Sequence, residues 1–316
     1  MARALLPFGQ LMQLPANTPV LVNSKSGYLA QSTRSAEEPL RERLREAGIT
    51  RDPLFCGPEQ LADALRAERD AGSPIVILGG GDGTIAMATS ILIGSETALG
   101  ILPMGTMNLL ARDLELPLDP LDAFDALSSG NIEGIDVGKI NDEIFLCAAI
   151  LGFFPAAAAR AKDYHGRNPI VKAVQTIWIF VTGFLRARPL RLQFCIGEEH
   201  HSIKTRLVVI ANNPFAKTAE LVPTKADLHT GRLAIYVSRH SGIGSMLKGT
   251  FLFLIGKYHA DREMQIVETE ALDIHRGHRH ELRVMIDGEH RKMTTPLKVE
   301  LVPSKLRVVH SGHGSP

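Results

Sequence analysis

The chain has 316 residues, 45% of them hydrophobic, and a net charge of +1. That size and apolar share suit two domains with proper cores, and the near-zero charge excludes a global basic field for nucleic acid. Three scattered cysteines, Cys56, Cys147 and Cys195, form neither a disulfide framework nor a metal spacing and point to a reducing cytoplasm.

Met1 to Pro19 has no long apolar core and is broken by Pro7, Gln10, Gln13 and Pro15, so no signal peptide is expected. From there to about residue 130, strands alternate with helices. Strands are predicted at Val20–Val22, Ile75–Leu78 and Ala98–Leu102. Helices are predicted at Ala36–Ala47, Pro58–Ala71, Thr84–Ile93, Met107–Leu114 and Leu118–Ser128. This is the βαβ pattern of a parallel sheet.

After Gly130 the pattern changes. Ile135–Ile140 and Ile144–Ile150 flank Asn141-Asp142, a hairpin turn. Further strands are predicted at Leu190–Ile196, Ser202–Ala211, Leu233–Ser238, Met264–Ile274, Leu282–Ile286 and Leu297–Val302. Cys147 and Cys195 fall in these apolar strands and are expected in the core. The fold class is therefore α/β plus all-β: an N-terminal parallel α/β domain over residues 1–130 and a C-terminal antiparallel, sandwich-like domain over residues 131–295. Two helices interrupt the second, Pro169–Leu185 and Gly244–Tyr258. Both are apolar, and the first carries the single Trp and basic ends. Either an ordinary core helix or a helix at a membrane surface fits that composition. No segment reaches about 18 uninterrupted apolar residues, so no transmembrane segment is expected. His275, His278 and His280 with Arg276 and Arg279 read as a solvated basic loop, and Ser311–Pro316 as a frayed end.

Three predicted strands end in loops with chemistry. Ile75–Leu78 runs into Gly79-Gly80-Gly81-Asp82-Gly83-Thr84. Glycine N–H groups ahead of a helix, with Thr84 placed to cap it, make an anion site suited to phosphate. A carboxylate at Asp82 would repel phosphate unless a cation lies between them, which suggests a Mg²⁺-nucleotide. Ala98–Leu102 runs into Pro103-Met104-Gly105-Thr106-Met107-Asn108, where Thr106 can cap the next helix and Asn108 and Arg112 can meet a ligand. Val20–Val22 runs into Asn23-Ser24-Lys25-Ser26-Gly27. Ligands of open α/β sheets bind at such carboxyl ends.

Asn23 to Gly27, Gly80 to Thr84, Pro103 to Arg112 and the later Ile286-Asp287-Gly288-Glu289 resemble, in order and spacing, the diacylglycerol kinase catalytic-domain family. The likeness is to its soluble bacterial lipid kinase branch, related to sphingosine and ceramide kinases and distantly to NAD kinases. NAD kinases lack the Pro-x-Gly-Thr-x-Asn-x-x-Ala-Arg segment. The resemblance implies an ATP- and Mg²⁺-dependent kinase acting on a diacylglycerol-like or related lipid at a membrane surface. It would be cytoplasmic, peripheral to the inner face of the membrane, with a homodimer left open. ATP would lie on Asn23, Ser26, Gly27, Gly80, Gly81, Asp82, Gly83, Thr84, Gly105, Thr106 and Asn108, and Asp82 would meet the metal through Mg-ATP. Asp287 would be the general base with Glu289 assisting, in a cleft between the domains. The last segment, about 296–316, would pack back on the first domain. The chain departs from the family pattern at Leu109, where an Asp is usual. It departs again after Asn212, which lacks the usual glycine-rich segment, and at His229-Thr230, where many members carry acidic residues linked to a second metal. A kinase for a soluble acceptor such as NAD and a non-catalytic binder of the same fold are the rival readings.

Overall fold

The computed structural model describes residues 14–31, 37–162, 169–218, 224–225, 227–277 and 281–310. The predicted features at residues 278–280 and 311–316, and the first thirteen residues, lie outside them. The chain forms two compact units. One runs to Val137 and takes back the chain from Pro303; the other holds Gly138–Val302.

The first unit alternates strands and helices. They are β1 (Val20–Asn23), α1 (Gly27–Gln31), α2 (Glu37–Glu46), β2 (Leu54–Cys56), α3 (Pro58–Ala71), β3 (Ile75–Gly80), α4 (Asp82–Leu92), β4 (Ala98–Pro103), α5 (Leu109–Asp113) and α6 (Pro120–Ser128). The strands pair in parallel in the order β2-β1-β3-β4. Every residue of β3 and β4 is buried, as expected of parallel strands with helices on both faces. The helices have local stops and starts. Pro58 sits at the first position of α3, and Gly72 closes it in a left-handed conformation, φ 72°, with its N–H on Arg69 O, as helix ends favour. Asp119 accepts the N–H groups of Leu121 and Asp122 ahead of α6. The short strand β2, ending in the buried Cys56, was not foreseen. Its three residues carry no periodic signal.

β5 (Asn131–Ile140) leaves this unit, and β16 (Leu297–His310) returns to it. Asp136 accepts the Ser304 N–H at 2.9 Å, and Val308 pairs in parallel with Leu99 of β4.

The second unit is a sandwich. Its remaining elements are β6 (Glu143–Phe145), β7 (Ala148–Gly152), α7 (Phe153–Lys162), α8 (Pro169–Arg186), β8 (Leu190–Ile196), β9 (Glu199–Thr205), β10 (Leu207–Asn212), β11 (Leu233–Ser238), α9 (Ile243–Leu254), β12 (Met264–Thr269), β13 (Ala271–His275), β14 (Glu281–Ile286) and β15 (Glu289–Thr294). One sheet has the order β12-β11-β10-β7-β14-β15. The other runs β16-β13-β8-β9, with β5 pairing both β16 and β6. Phe145, Phe194, Ile210, Ile235, Leu272, Val284 and Val299 share one buried core drawn from both sheets.

Three stretches that read as single strands are each two. Ser202–Ala211 breaks at Arg206, where β9 of one sheet gives way to β10 of the other. Thr205 Oγ1 donates to Ser238 O at 2.6 Å and accepts the Leu207 N–H. Met264–Ile274 breaks at Glu270, whose carbonyl accepts the Leu301 N–H. Ile144–Ile150 breaks at Leu146-Cys147, for a reason that belongs to the site below. Cys147 and Cys195 are only half-buried, contrary to the core placement expected. The turn at Asn141 is present, with φ 53°. The helix α7, unforeseen, packs against α8 through Phe153–Phe184 and Phe154–Phe180 ring contacts.

Candidate active site

In the first unit, the three loops after β1, β3 and β4 meet. β3 ends in Gly80, and Gly81 is the extended residue ahead of α4, which begins at Asp82 rather than Thr84. Thr84 is therefore not the cap. It lies in the first turn, and its Oγ1 accepts from Asn23 Nδ2 at 2.8 Å, joining the first loop to the second. A β-carbon on Gly80 would lie 2.5 Å from Thr84 Cβ, so only glycine leaves room for that threonine. Asn23 Oδ1 also accepts the Lys25 N–H at 2.9 Å, an Asx turn that curls the loop. Ser26 is buried, its hydroxyl 3.9 Å from Met104 Sδ. Gly27 and Gly83 are exposed.

The second and third loops touch backbone to backbone. A β-carbon on Gly105 would sit 2.6 Å from Gly81 Cα. Asp82 locks the contact, its two carboxylate oxygens accepting the Leu109 N–H at 2.6 Å and the Asn108 N–H at 3.1 Å. Helix α5 begins at Leu109, with Asn108 ahead of it in a left-handed conformation, φ 51° and ψ 51°. The expected cap, Thr106, is exposed and does not perform that role. The carboxylate that meets the start of α5 comes from the neighbouring loop, and a negative charge there suits the helix N-terminus. Asn108 folds back on its own loop, accepting the Gly105 N–H at 2.8 Å and donating to Gly105 O at 3.0 Å. Arg112 is tied to Met107 O at 2.8 Å.

In the second unit, Asp287 and Gly288 form the two-residue turn between β14 and β15, with φ 45° and 87°. Positive φ at both is what a type I′ hairpin asks, and Asp-Gly supplies it. The Asp287 side chain does more than turn. Oδ2 accepts the Leu146 N–H at 2.6 Å, and Oδ1 accepts those of Cys147 and Ala148 at 2.9 and 3.0 Å. The predicted strand breaks here because the chain passes from β6, paired with β5 in one sheet, to β7, paired with β10 and β14 in the other, and these bonds hold the crossing. Burial pushes the Asp287 carboxyl above the ordinary carboxylate range. The N–H groups of Leu146, Cys147 and Ala148 and the charge of Lys225 pull against that rise.

Lys225 was not singled out in the sequence. It is buried, and its ammonium donates to Leu146 O on the segment that Asp287 holds. An isolated lysine carries no motif, so only the fold reveals it. Glu289 is exposed and paired with Arg291 at 2.7 Å, and Arg291 also holds Glu143 at 2.9 Å. Thr230 donates to Asn213 Oδ1 at 2.5 Å, and Asn213 is left-handed with φ 88°. Among the described residues, no group of three or more His, Cys, Asp or Glu side chains could hold a metal ion.

Residues 17–140 match the family described as "Diacylglycerol kinase catalytic domain". Residues 152–310 match the "YegS C-terminal NAD kinase beta sandwich-like domain". A diacylglycerol kinase of Mycobacterium tuberculosis (strain CDC 1551 / Oshkosh) is 28% identical over 305 residues, covering 93% of this chain and 95% of that protein. One of Staphylococcus aureus (strain Newman) is 24% identical over 258 residues, 78% of each. The crystal structure of a diacylglycerol kinase from Bacillus anthracis str. Sterne superposes with a TM-score of 0.63 at 19% identity, over 93% of this chain and 97% of that one. No described helix is long and apolar enough to cross a membrane. The two matched regions take up nearly the whole chain, and it belongs to the diacylglycerol kinase catalytic-domain family of phosphotransferases.

Proposed function

We propose that this protein is an ATP-dependent lipid kinase that transfers the γ-phosphoryl group to a hydroxyl of a diacylglycerol-like or related lipid. It would work in the cytoplasm, peripheral to the inner face of the membrane. The observation that carries the reading is the closure of three glycine-bearing strand ends on one another in the first unit. Gly81 and Gly105 are in contact, and Asp82 and Thr84 tie the loops together. A glycine loop that runs straight into a helix start, as Gly80-Gly81 runs into α4, is a construction that suits polyphosphate.

In this reading Asn23, Ser26, Gly27, Gly80–Thr84 and Gly105–Asn108 hold the nucleotide, Ser26 by packing the first loop on Met104. The donor set suits a Mg²⁺ that arrives on the phosphates rather than one caged by protein. Asp82 is the carboxylate on the glycine loop, and each of its oxygens accepts a single N–H, leaving acceptor capacity for the cation or its waters. When bound, Mg²⁺ screens the charge of the phosphates.

Asp287 is the general base. Three of the roughly four acceptor positions of its carboxylate are taken by backbone N–H groups, and one on Oδ2 is left for an acceptor hydroxyl. Burial raises its pKa and so makes it a stronger proton acceptor, as a general base requires. The proton of the lipid hydroxyl passes to Asp287, the hydroxyl oxygen bonds to the γ-phosphorus, and ADP departs with the bridging oxygen. Glu289 keeps Arg291 beside the same hairpin.

The test is transfer from labelled ATP with Mg²⁺ to diacylglycerol, monoacylglycerol, ceramide, sphingosine and phosphatidylglycerol in mixed micelles, with NAD as the soluble control and Asp287→Asn beside the wild type. A labelled lipid that disappears in the variant is the expected result. Label on NAD alone would replace the lipid with a soluble acceptor, and ATP binding without any label would favour a non-catalytic role.

A further inference from the structure

We infer that the outer faces of α8 and α9 form the surface by which this protein docks on an anionic lipid bilayer. This deepens the lipid-kinase reading and rests on it only for the choice of a bilayer as partner.

Each helix has an inner face that is spoken for. In α8, Phe184 is buried against Phe153, and Gly183 approaches Ala157 closely, with 3.2 Å between an added β-carbon and Ala157 Cβ. In α9, Phe253 stacks into an aromatic cluster with Phe215, Tyr236 and Tyr258. Gly249 lies over a buried pair in which His240 Nε2 is 2.9 Å from Asp261 Oδ2.

The opposite faces are apolar and wet. Trp178 is 68% exposed and Leu185, two turns on along the same face, 53%; Leu247 is 51% and Phe251, one turn on, 61% exposed. The two helices touch. A single exposed leucine needs no explanation, but a Trp, a Phe and two Leu on adjoining helices do.

The charge around them chooses the partner. No Asp or Glu occurs between Asp163 and Glu198, nor between Asp227 and Asp261. Among the side chains described, the exposed charges on and just after the two helices are Arg186, Arg188, Lys248 and Lys257. An apolar face with a cationic rim and an exposed Trp is what an interfacial helix presents to anionic headgroups. A second copy of the chain fits less well, because two cationic rims would meet across the interface.

Trp178 is the single tryptophan of the chain, so its fluorescence reports on this surface in the unaltered protein. The full chain, without ATP, is titrated with vesicles of phosphatidylcholine alone or mixed with phosphatidylglycerol, and binding is also followed by sedimentation. Expected are a blue shift and quenching by brominated lipid with the anionic vesicles, weakening as salt is raised. The Leu247→Ser, Phe251→Ser double variant should lose at least about tenfold in vesicle affinity with an unchanged thermal melt, since both side chains are exposed. No shift and no co-sedimentation would overturn the inference, as would a double variant that binds like wild type. A dimer that the double variant dissociates, with no vesicle binding, would reassign the face to self-association. Vesicle binding without lipid phosphorylation would leave docking standing and sink the kinase reading. Phosphorylation in micelles with Trp178 still in water would sink docking alone.

Discussion

Replacing Asp82 by Asn separates two roles for that carboxylate. Asp82 accepts N–H groups from Asn108 at 3.1 Å and Leu109 at 2.6 Å. A hydrogen bond to a charged group contributes about 1.5–3 kcal/mol, and these are partly exposed, so about 1–2 kcal/mol each is a fair scale. Asparagine has one oxygen for two donors, and its amide N–H would face the second. The variant therefore loses about one bond, and the third loop should open more often by about 1–2 kcal/mol, a factor of roughly 5 to 30. Amide hydrogen exchange at Asn108 and Leu109 reads this directly. It is preferable to a single global melt, because a chain of two units need not unfold in one step. The measurement is made without nucleotide or Mg²⁺, where a residue that serves only the metal has nothing to do. Exchange accelerated by that factor in the empty protein is expected. Exchange at the wild-type rate would refute the clamp and leave Asp82 a purely metal- or phosphate-directed group.

Gly105→Ala tests the same contact from the other side. The new methyl would lie 2.6 Å from Gly81 Cα and 2.9 Å from Asn108 Oδ1. The loops must part, at a cost of about 1–3 kcal/mol, and ATP affinity measured by calorimetry should fall at least about tenfold. Gly57→Ala, whose β-carbon would meet nothing within 4 Å, should bind as wild type. For Asp287 the prediction concerns pH. Its folded-state pKa is raised, chiefly by burial, so the folded chain keeps a proton that the unfolded chain has already lost. Its contribution to stability is therefore fully present below the ordinary carboxylate range, falls as pH climbs to the raised value, and is level above it. The stability difference between wild type and Asp287→Asn, from urea titrations at several pH values, should shift against the wild type across that window. A difference that stays flat would refute the assignment.

The sequence disclosed most where a residue's job is done beside its neighbours in the chain. Gly80 and Gly81 announce a loop because the strand before them is uniformly apolar, and Asp287-Gly288 announces its hairpin because few other pairs accept positive φ twice. What it hid are the tasks done at a distance. Thr84 and Thr106 both read as caps, since each precedes or opens an apolar run. Yet Thr84 is taken by Asn23 from another loop, and α5 begins under Asp82 from another loop, leaving Thr106 exposed. The three split strands failed for a related reason. Ile144–Ile150 is apolar throughout, so no change of period marks the point where the chain leaves β6 for β7 of the other sheet and Asp287 takes the N–H groups of Leu146, Cys147 and Ala148. At Arg206 and Glu270 the chain changes sheet without a Gly or Pro, because both sheets of a sandwich want the same alternating strand. The buried Lys225 follows the same logic, its partner Leu146 O lying 79 positions away. The residues that motifs named and those that only the fold names thus meet at one carboxylate. Asp287 is legible as a turn, while its three backbone donors and its neighbouring ammonium, the features that set its acidity and would fit it to take a proton, come from segments that no motif marks.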